Sequence, residues 1–259
     1  MSTIQPGFAT EVQEGKKGRI GFLTIAGIEP NNTLNLELLR GFIQTLYELG
    51  KTADGVIVRS AHERFFSNGL DGKTLLESSM TVREETIREM ILAYGKLMAF
   101  GKPWIVEIAG YAMAGGAVIS TAADYRFMLK GGGRIGFSEL AVGLPLPVCY
   151  AHGMHRIVQP SAVRSLIEGA ALKPEEALAI GLIDGVAEDR DRLRQMCIKR
   201  MEQILRLEQD SFLPTRMLYR KAVLRDIERD EAEDVRLASE LIRQPVFERA
   251  LNNIAGKNR

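Results

Sequence analysis

Apolar and polar positions change their spacing in a regular way along this chain. In the first half, short apolar and β-branched runs alternate with longer segments whose apolar residues recur at helical spacing, the sequence form of an α/β architecture with short crossovers. The runs Arg19–Ile25, Gly55–Ser60, Trp104–Ile108 and Tyr125–Leu129 are expected strands. Between the first two, Leu34, Leu38, Leu39, Phe42, Leu46 and Leu49 predict a helix, with Asn32 or Asn35 placed to cap its start and Gly50 to end it. Thr81–Phe100 predicts a longer helix with Ile87, Met90, Ile91, Tyr94, Leu97 and Met98 on one broad face, closed by Gly101 and Pro103. Beyond about residue 160 the pattern becomes helical throughout: Ser161–Ala170, Pro174–Ile180, Asp189–Leu207, Pro214–Asp226 and Ile227–Ile242. No repeat, low-complexity segment or Pro/Ser-rich linker divides the chain into independent units.

Composition narrows the partners. The 259 residues suit one large domain, and 34 Lys plus Arg against 33 Asp plus Glu leave no bulk positive potential for nucleic acid or anionic lipid. Balanced charge argues for a small-molecule partner. Cys149 and Cys197 form neither a disulfide framework nor a spaced metal set, and read as buried thiols of a reducing compartment. The first residues lack a signal-peptide pattern, and no apolar run reaches the length of about 18 residues a membrane span needs. The expectation is a cytoplasmic protein that binds neither membrane nor nucleic acid.

Several motif-like stretches fail on context. Gly131, Gly133 and Gly136 match G-x-G-x-x-G, but an extended segment and two prolines follow where the fingerprint needs a helix, so a glycine-rich hairpin turn is expected. Gly72-Lys73-Thr74 resembles the end of a Walker A loop, yet Ser67 stands where that loop requires glycine. His62, His152 and His155 have no metal-ligand spacing, and Ser138 is not in a nucleophile elbow.

Three segments remain: Phe65-Phe66-Ser67-Asn68-Gly69-Leu70-Asp71, Gly110-Tyr111-Ala112-Met113-Ala114-Gly115-Gly116, and Ile135-Gly136-Phe137-Ser138-Glu139 followed by Gly143-Leu144-Pro145. Singly, each is ordinary turn chemistry. In this order, each after an expected strand, they resemble the signature of the crotonase superfamily, also called the enoyl-CoA hydratase/isomerase family. The likeness runs from Asn32-Thr33-Leu34-Asn35 through Asp124-Tyr125-Arg126 to the helical C-terminus.

The resemblance implies an α/β superhelix of strand-strand-helix turns over residues 1–200, then a helical trimerisation region over 201–259, assembled as a homotrimer or homohexamer. It implies an acyl-CoA thioester substrate, with coenzyme A part of the substrate and neither a separate cofactor nor a metal. By the same resemblance, the backbone N–H groups of Leu70 and Gly115 form an oxyanion hole for an enolate, each donor worth about 2.7–4 kcal/mol. Leu34, Ser67, Asn68, Gly69, Asp71, Gly72, Ala112, Gly116 and Ser138 are the implied binding residues, and Leu144-Pro145-Leu146-Pro147 shapes the acyl pocket. Hydratases of the family use two glutamates. Here Glu139 matches the second, while the first falls on Val118, which carries no proton. One carboxylate can move a proton from C2 to C4 of a 3-enoyl-CoA, so the wording points to a Δ3,Δ2-enoyl-CoA isomerase with Glu139 as its shuttle. Glu139 would need a pKa lifted toward neutrality, for which Phe137, Leu140 and Leu144 offer desolvation. The alternatives are a hydratase whose second acid lies elsewhere, with Glu107 and Glu77 the nearest candidates, and a non-catalytic acyl-CoA-binding protein. Arg64 and Lys73, with Arg249 or Lys257 from a neighbouring subunit, are candidate partners for the CoA phosphates.

Overall fold

The structure, a computed structural model, describes residues 7–26 and 30–254, so Lys257 lies outside the described residues. The chain opens with β1 (Phe8–Gly15) and β2 (Gly18–Ile25), an antiparallel hairpin. Then follow α1 (Leu36–Thr52), β3 (Gly55–Ser60), β4 (Phe65–Ser67), α2 (Gly72–Glu77) and α3 (Met80–Ala99). Next come β5 (Trp104–Ile108), β6 (Tyr111–Met113), α4 (Gly115–Ala122), β7 (Tyr125–Leu129) and β8 (Ile135–Gly136). A single 3₁₀ turn, Leu140–Val142, leads to α5 (Val148–Met154) and α6 (Pro160–Ile167). The remainder is β9 (Ala171–Leu172), α7 (Pro174–Ala179), β10 (Gly185–Ala187), α8 (Arg190–Leu205), α9 (Gln209–Leu241) and α10 (Pro245–Ile254).

Consecutive strands part company. β3, β5 and β7 enter a six-stranded sheet of order β1-β2-β3-β5-β7-β10, while their successors β4, β6 and β8 enter a four-stranded sheet of order β4-β6-β8-β9. Helices return the chain from the second sheet to the first, so each circuit adds a strand to both sheets. This is the strand-strand-helix superhelix expected from the resemblance, with a helical C-terminal region after it. The central strands β2, β3, β5 and β7 of the larger sheet are apolar on both faces because both are covered, whereas the edge strand β1 is mostly polar and exposed. Val56, Val58, Trp104 and Val106 point into the main core with α1, α3 and α4, whereas Phe22, Ile57, Ile105 and Phe127 pack against Leu193, Cys197 and Met201 of α8. Both cysteines are free and buried, and no helix among the described residues is long and apolar enough to cross a membrane.

Several local expectations change. Asn35, not Asn32, caps α1 by accepting from the Leu38 N–H at 2.9 Å. Asn32 is buried with φ 54° and donates its amide to Ser60 Oγ and the Phe66 carbonyl, bracing the β3–β4 corner. Gly50 does not end α1, which runs on to Thr52; a Cβ at residue 50 would stand 2.8 Å from the Phe100 ring, so the helix uses glycine there for close packing. The Gly131–Gly136 segment is not a hairpin turn, because it carries the chain from β7 in one sheet to β8 in the other. Residues 214–242 are not split at Asp226, which lies inside the 33-residue α9, as does Pro214.

α9 is tied to the core through one carboxylate. Asp124 Oδ1 accepts from Arg216 Nε at 2.8 Å and Arg220 Nη2 at 2.7 Å, and Oδ2 accepts from Arg216 Nη2 and the Trp104 N–H, both at 2.9 Å. Arg220 also donates to the carbonyls of Met98 and Ala122, near the C-terminal ends of α3 and α4. Burial alone would push the Asp124 carboxyl up, but the guanidiniums of Arg220 and Arg216 outweigh it and hold the group below the usual carboxylate range. Further along α9, Asp234 accepts from the Val148 and Cys149 N–H groups and so caps α5 from outside that helix.

Candidate active site

Leu70 is fixed by an isolated parallel bridge to Leu34, in which the Leu34 N–H donates to the Gly69 carbonyl at 2.8 Å and the Asp71 N–H to the Leu34 carbonyl at 3.0 Å. These bonds use the groups on either side of Leu70 and leave its own N–H out of the pairing. Gly115, the first residue of α4, precedes the intrahelical bonding, and α4 has no side-chain cap. The two backbones meet because both carry glycine: a Cβ on Gly69, whose φ is +79°, would sit 2.6 Å from the Gly115 nitrogen. Ala114 turns the chain into α4 at φ 48° and ψ −122°, a strained conformation for a residue with a side chain. Its N–H is held by the Gly136 carbonyl at 2.9 Å, which ties this turn to β8 and thus to the segment that bears Glu139.

Glu139 leads the 3₁₀ turn. Its carbonyl accepts from the Val142 and Leu144 N–H groups at 3.1 and 3.0 Å, and Gly143 ends the turn at φ 72°. The side-chain Oε2 is buried with no hydrogen-bond partner. Burial pushes the carboxyl up to about 7, against the pull of its own and Ser138's backbone N–H groups in the other direction. A carboxyl held there ionises and reprotonates near neutral pH, as an acid–base group must.

A cavity of about 810 Å³ joins these parts. Leu70, Gly115 and Glu139 all line it, together with Asn68, Asp71, Gly72 and Ser138. Leu34, Ser67, Gly69, Ala112 and Gly116 do not; they stand behind the wall and shape it. Ser67, for example, is buried, donates to the Asn32 carbonyl and accepts from the Gly69 N–H. Gly116 sits so close to strand β4 that a Cβ would lie 2.2 Å from the Ser67 carbonyl oxygen. Asp71 is the other acid on the wall among the described residues, but its Oδ1 caps α2 by accepting from the Lys73 and Thr74 N–H groups.

Other expectations sort against the same wall. Leu144, Pro145 and Pro147 line the cavity, whereas Leu146 does not. Val118 is wholly buried and absent from the lining, so it forms core and not pocket wall. Glu107 faces Arg194 of α8 across the far side of the larger sheet, and Glu77 is exposed; neither reaches the cavity. Lys73 lines it, Arg64 does not, and Arg249 reaches it from α10 of the same chain without the help of a neighbouring subunit.

The rest of the apolar side is not legible in the sequence. It comprises Leu75, Ile87, Met90, Ile91, Tyr150 and Ala238, with Val246, Phe247, Ala250 and Leu251 of α10, which packs on α2 and on the 3₁₀ turn. The helical spacing of residues 246, 247, 250 and 251 marks an apolar face in the sequence, but not what that face covers.

Comparison with known proteins places this geometry among relatives. The sequence profile of the enoyl-CoA hydratase/isomerase family matches residues 15–256. Enoyl-CoA delta isomerase 3 of Arabidopsis thaliana is 27% identical over 181 residues, covering 67% of this chain and 76% of its own. A Mycobacterium tuberculosis protein named probable enoyl-CoA hydratase EchA17 is 31% identical over 169 residues, 62% of each chain. The crystal structure of human mitochondrial delta3-delta2-enoyl-CoA isomerase superimposes with a TM-score of 0.87 over 96% of this chain and 97% of that one, at 21% identity, a likeness of fold.

Proposed function

The chain belongs to the enoyl-CoA hydratase/isomerase family, and from that premise we propose that it is a Δ3,Δ2-enoyl-CoA isomerase that moves a carbon–carbon double bond along an acyl-CoA thioester. The observation that carries this reading is the base: Glu139 lines the cavity with an unpartnered Oε2, the other acid among the described lining residues, Asp71, caps α2, and the position matching the hydratases' first glutamate is buried Val118. The Glu139 carboxylate takes a proton from C2 of a 3-enoyl-CoA. The electron pair moves onto the thioester oxygen, where the N–H groups of Leu70 and Gly115 stabilise it. Return of the same proton to C4 re-forms the thioester carbonyl and leaves the 2-enoyl product. No water is consumed, so no second acid is needed. Lys73 and Arg249, both on the cavity wall, suit the CoA phosphates.

The assay that separates this from hydration, the activity in the name of the mycobacterial relative, uses two substrates in D₂O followed by NMR. Conversion of a trans-3-enoyl-CoA to the 2-enoyl-CoA without 3-hydroxyacyl-CoA is the expected result. Hydration of a trans-2-enoyl-CoA at a comparable rate would overturn the single-base mechanism. Acyl-CoA binding with turnover of neither would leave a binding protein.

The backbone donors have their own test. Gly69→Ala places a Cβ against the Gly115 nitrogen at a φ of +79°, so the Leu70 and Gly115 N–H groups must separate. A misplacement of about 1 Å costs up to about 10²-fold in rate, and kcat is expected to fall about ten- to a hundredfold with a smaller change in KM. Unchanged kcat would remove these N–H groups from the reaction.

A further inference from the structure

The apolar walls of the cavity differ in how far they can yield. Met90 is unbranched and flexible, and the ends of the aliphatic side chains of Ile87 and Leu251 carry no polar group that fixes them. Tyr150 is held. Its hydroxyl donates to the Met90 carbonyl at 3.1 Å, and its ring meets Tyr94 edge-on at 5.1 Å between centroids. Its backbone belongs to the first turn of α5, whose Val148 and Cys149 N–H groups are clamped by Asp234 of α9. Tyr94 is itself fully buried, and its hydroxyl occupies the space where a Cβ on Gly153 would be. Tyr150 is therefore 2% exposed yet presents a face to the cavity.

Its place in the cavity matters equally. Tyr150 and Glu139 line the same cavity, and the Met90 side chain that leads from the tyrosine's hydrogen-bond acceptor approaches Gly115, with Cε 3.1 Å from where a Cβ there would stand. The braced ring thus shares one cavity with Glu139 and Gly115 and with the apolar residues of α3, α9 and α10.

We propose that Tyr150 is the residue that determines acyl-chain specificity, its braced ring forming the fixed wall that sets how much straight acyl chain fits beyond the reacting carbons. This rests on the acyl-CoA reading of the cavity. An adaptable wall grades affinity smoothly with chain length, because each added methylene finds some place to pack. A fixed wall produces a break, a length beyond which further methylenes remain unburied.

The test is calorimetric titration of the full chain with saturated acyl-CoA thioesters from butanoyl to hexadecanoyl, which reads binding without turnover. The wild type is expected to show a break in affinity with length. Tyr150→Leu should move that break to longer chains, with affinity rising about fourfold for each methylene newly buried, while Tyr150→Phe, which keeps the ring, should leave it in place. Tyr150→Met, flexible and less prone to leave a void, should shift the break in the same direction as leucine and serves if the leucine variant does not fold by circular dichroism. A break unmoved by leucine and methionine, or moved as far by phenylalanine, would overturn the wall. No binding of any thioester by the wild type would instead overturn the acyl-CoA reading on which it rests.

Discussion

Glu139→Gln is expected to lower turnover of a 3-enoyl-CoA by about 10²–10⁴-fold, the usual contribution of a positioned acid–base group, with little change in KM. The amide fills the same space beneath the 3₁₀ turn and keeps the cavity's shape, but it cannot take a proton from C2. The wild type adds a pH signature. Burial pushes its carboxyl up to about 7, so kcat/KM should rise with pH through that value as the base form appears, and the residual activity of the variant should lack this rise. Stability should move the other way. The folded protein holds the Glu139 proton from the ordinary value of 4.5 up to about 7, while the unfolded chain has already released it. The stabilising contribution is therefore complete below about 4.5 and is lost as pH rises through about 7. Urea denaturation at pH 6 and pH 8 should show the wild type losing more stability than the glutamine variant over that interval. Full activity in Glu139→Gln would place the proton transfer on another group.

Asp124→Ala should destabilise the fold by about 3–5 kcal/mol, the cost of breaking a buried ion pair by deleting one partner. The carboxylate accepts from Arg216, Arg220 and the Trp104 N–H, and both arginine side chains are nearly inaccessible, at 4% and 2% exposure. Its loss leaves two guanidiniums in the core without a counter-charge. Because α9 also supplies Asp234 to α5, loosening α9 should release Tyr150 as well, and acyl-CoA binding should weaken along with stability. A double variant, Asp124→Ala with Arg220→Met, should regain part of the loss by removing one stranded charge. A measured loss below about 1 kcal/mol would mean that the cluster behaves like an exposed ion pair.

The strands that were legible in the sequence are those covered on both faces. Gly55–Ser60, Trp104–Ile108 and Tyr125–Leu129 have the bounds their apolar runs predict. The strands of the smaller sheet have only two or three residues each, too few for any alternation to show. β1 is mostly polar and solvent-facing, with its lone mid-strand Val12 exposed, so it carries no apolar run. The circuit of two strands and a helix therefore repeats in space without repeating in sequence. At the site, the segments around Leu70, Gly115 and Glu139 could be read only through their resemblance to a family signature, whose glycines fall where the backbones approach closely. Tyr150 and the α10 face could not, since an ordinary core residue and an ordinary amphipathic helix carry the same pattern. Asn32 and Gly50 misled for a related reason: both residue types signal helix ends, but here one braces a strand corner and the other admits an aromatic ring.

The N–H groups of Leu70 and Gly115, the proposed oxyanion donors, follow the ends of β4 and β6, adjacent strands on successive circuits of the chain. Being main-chain atoms, they survive almost any codon change; short of proline, no substitution deletes an N–H. In the proposed reaction, the half of the site that holds negative charge thus comes with the coil itself, while the half that moves protons rests on one side chain. A substitution at Glu139 would therefore change the proton-moving half of the proposed site while the main-chain N–H groups stayed where the coil puts them.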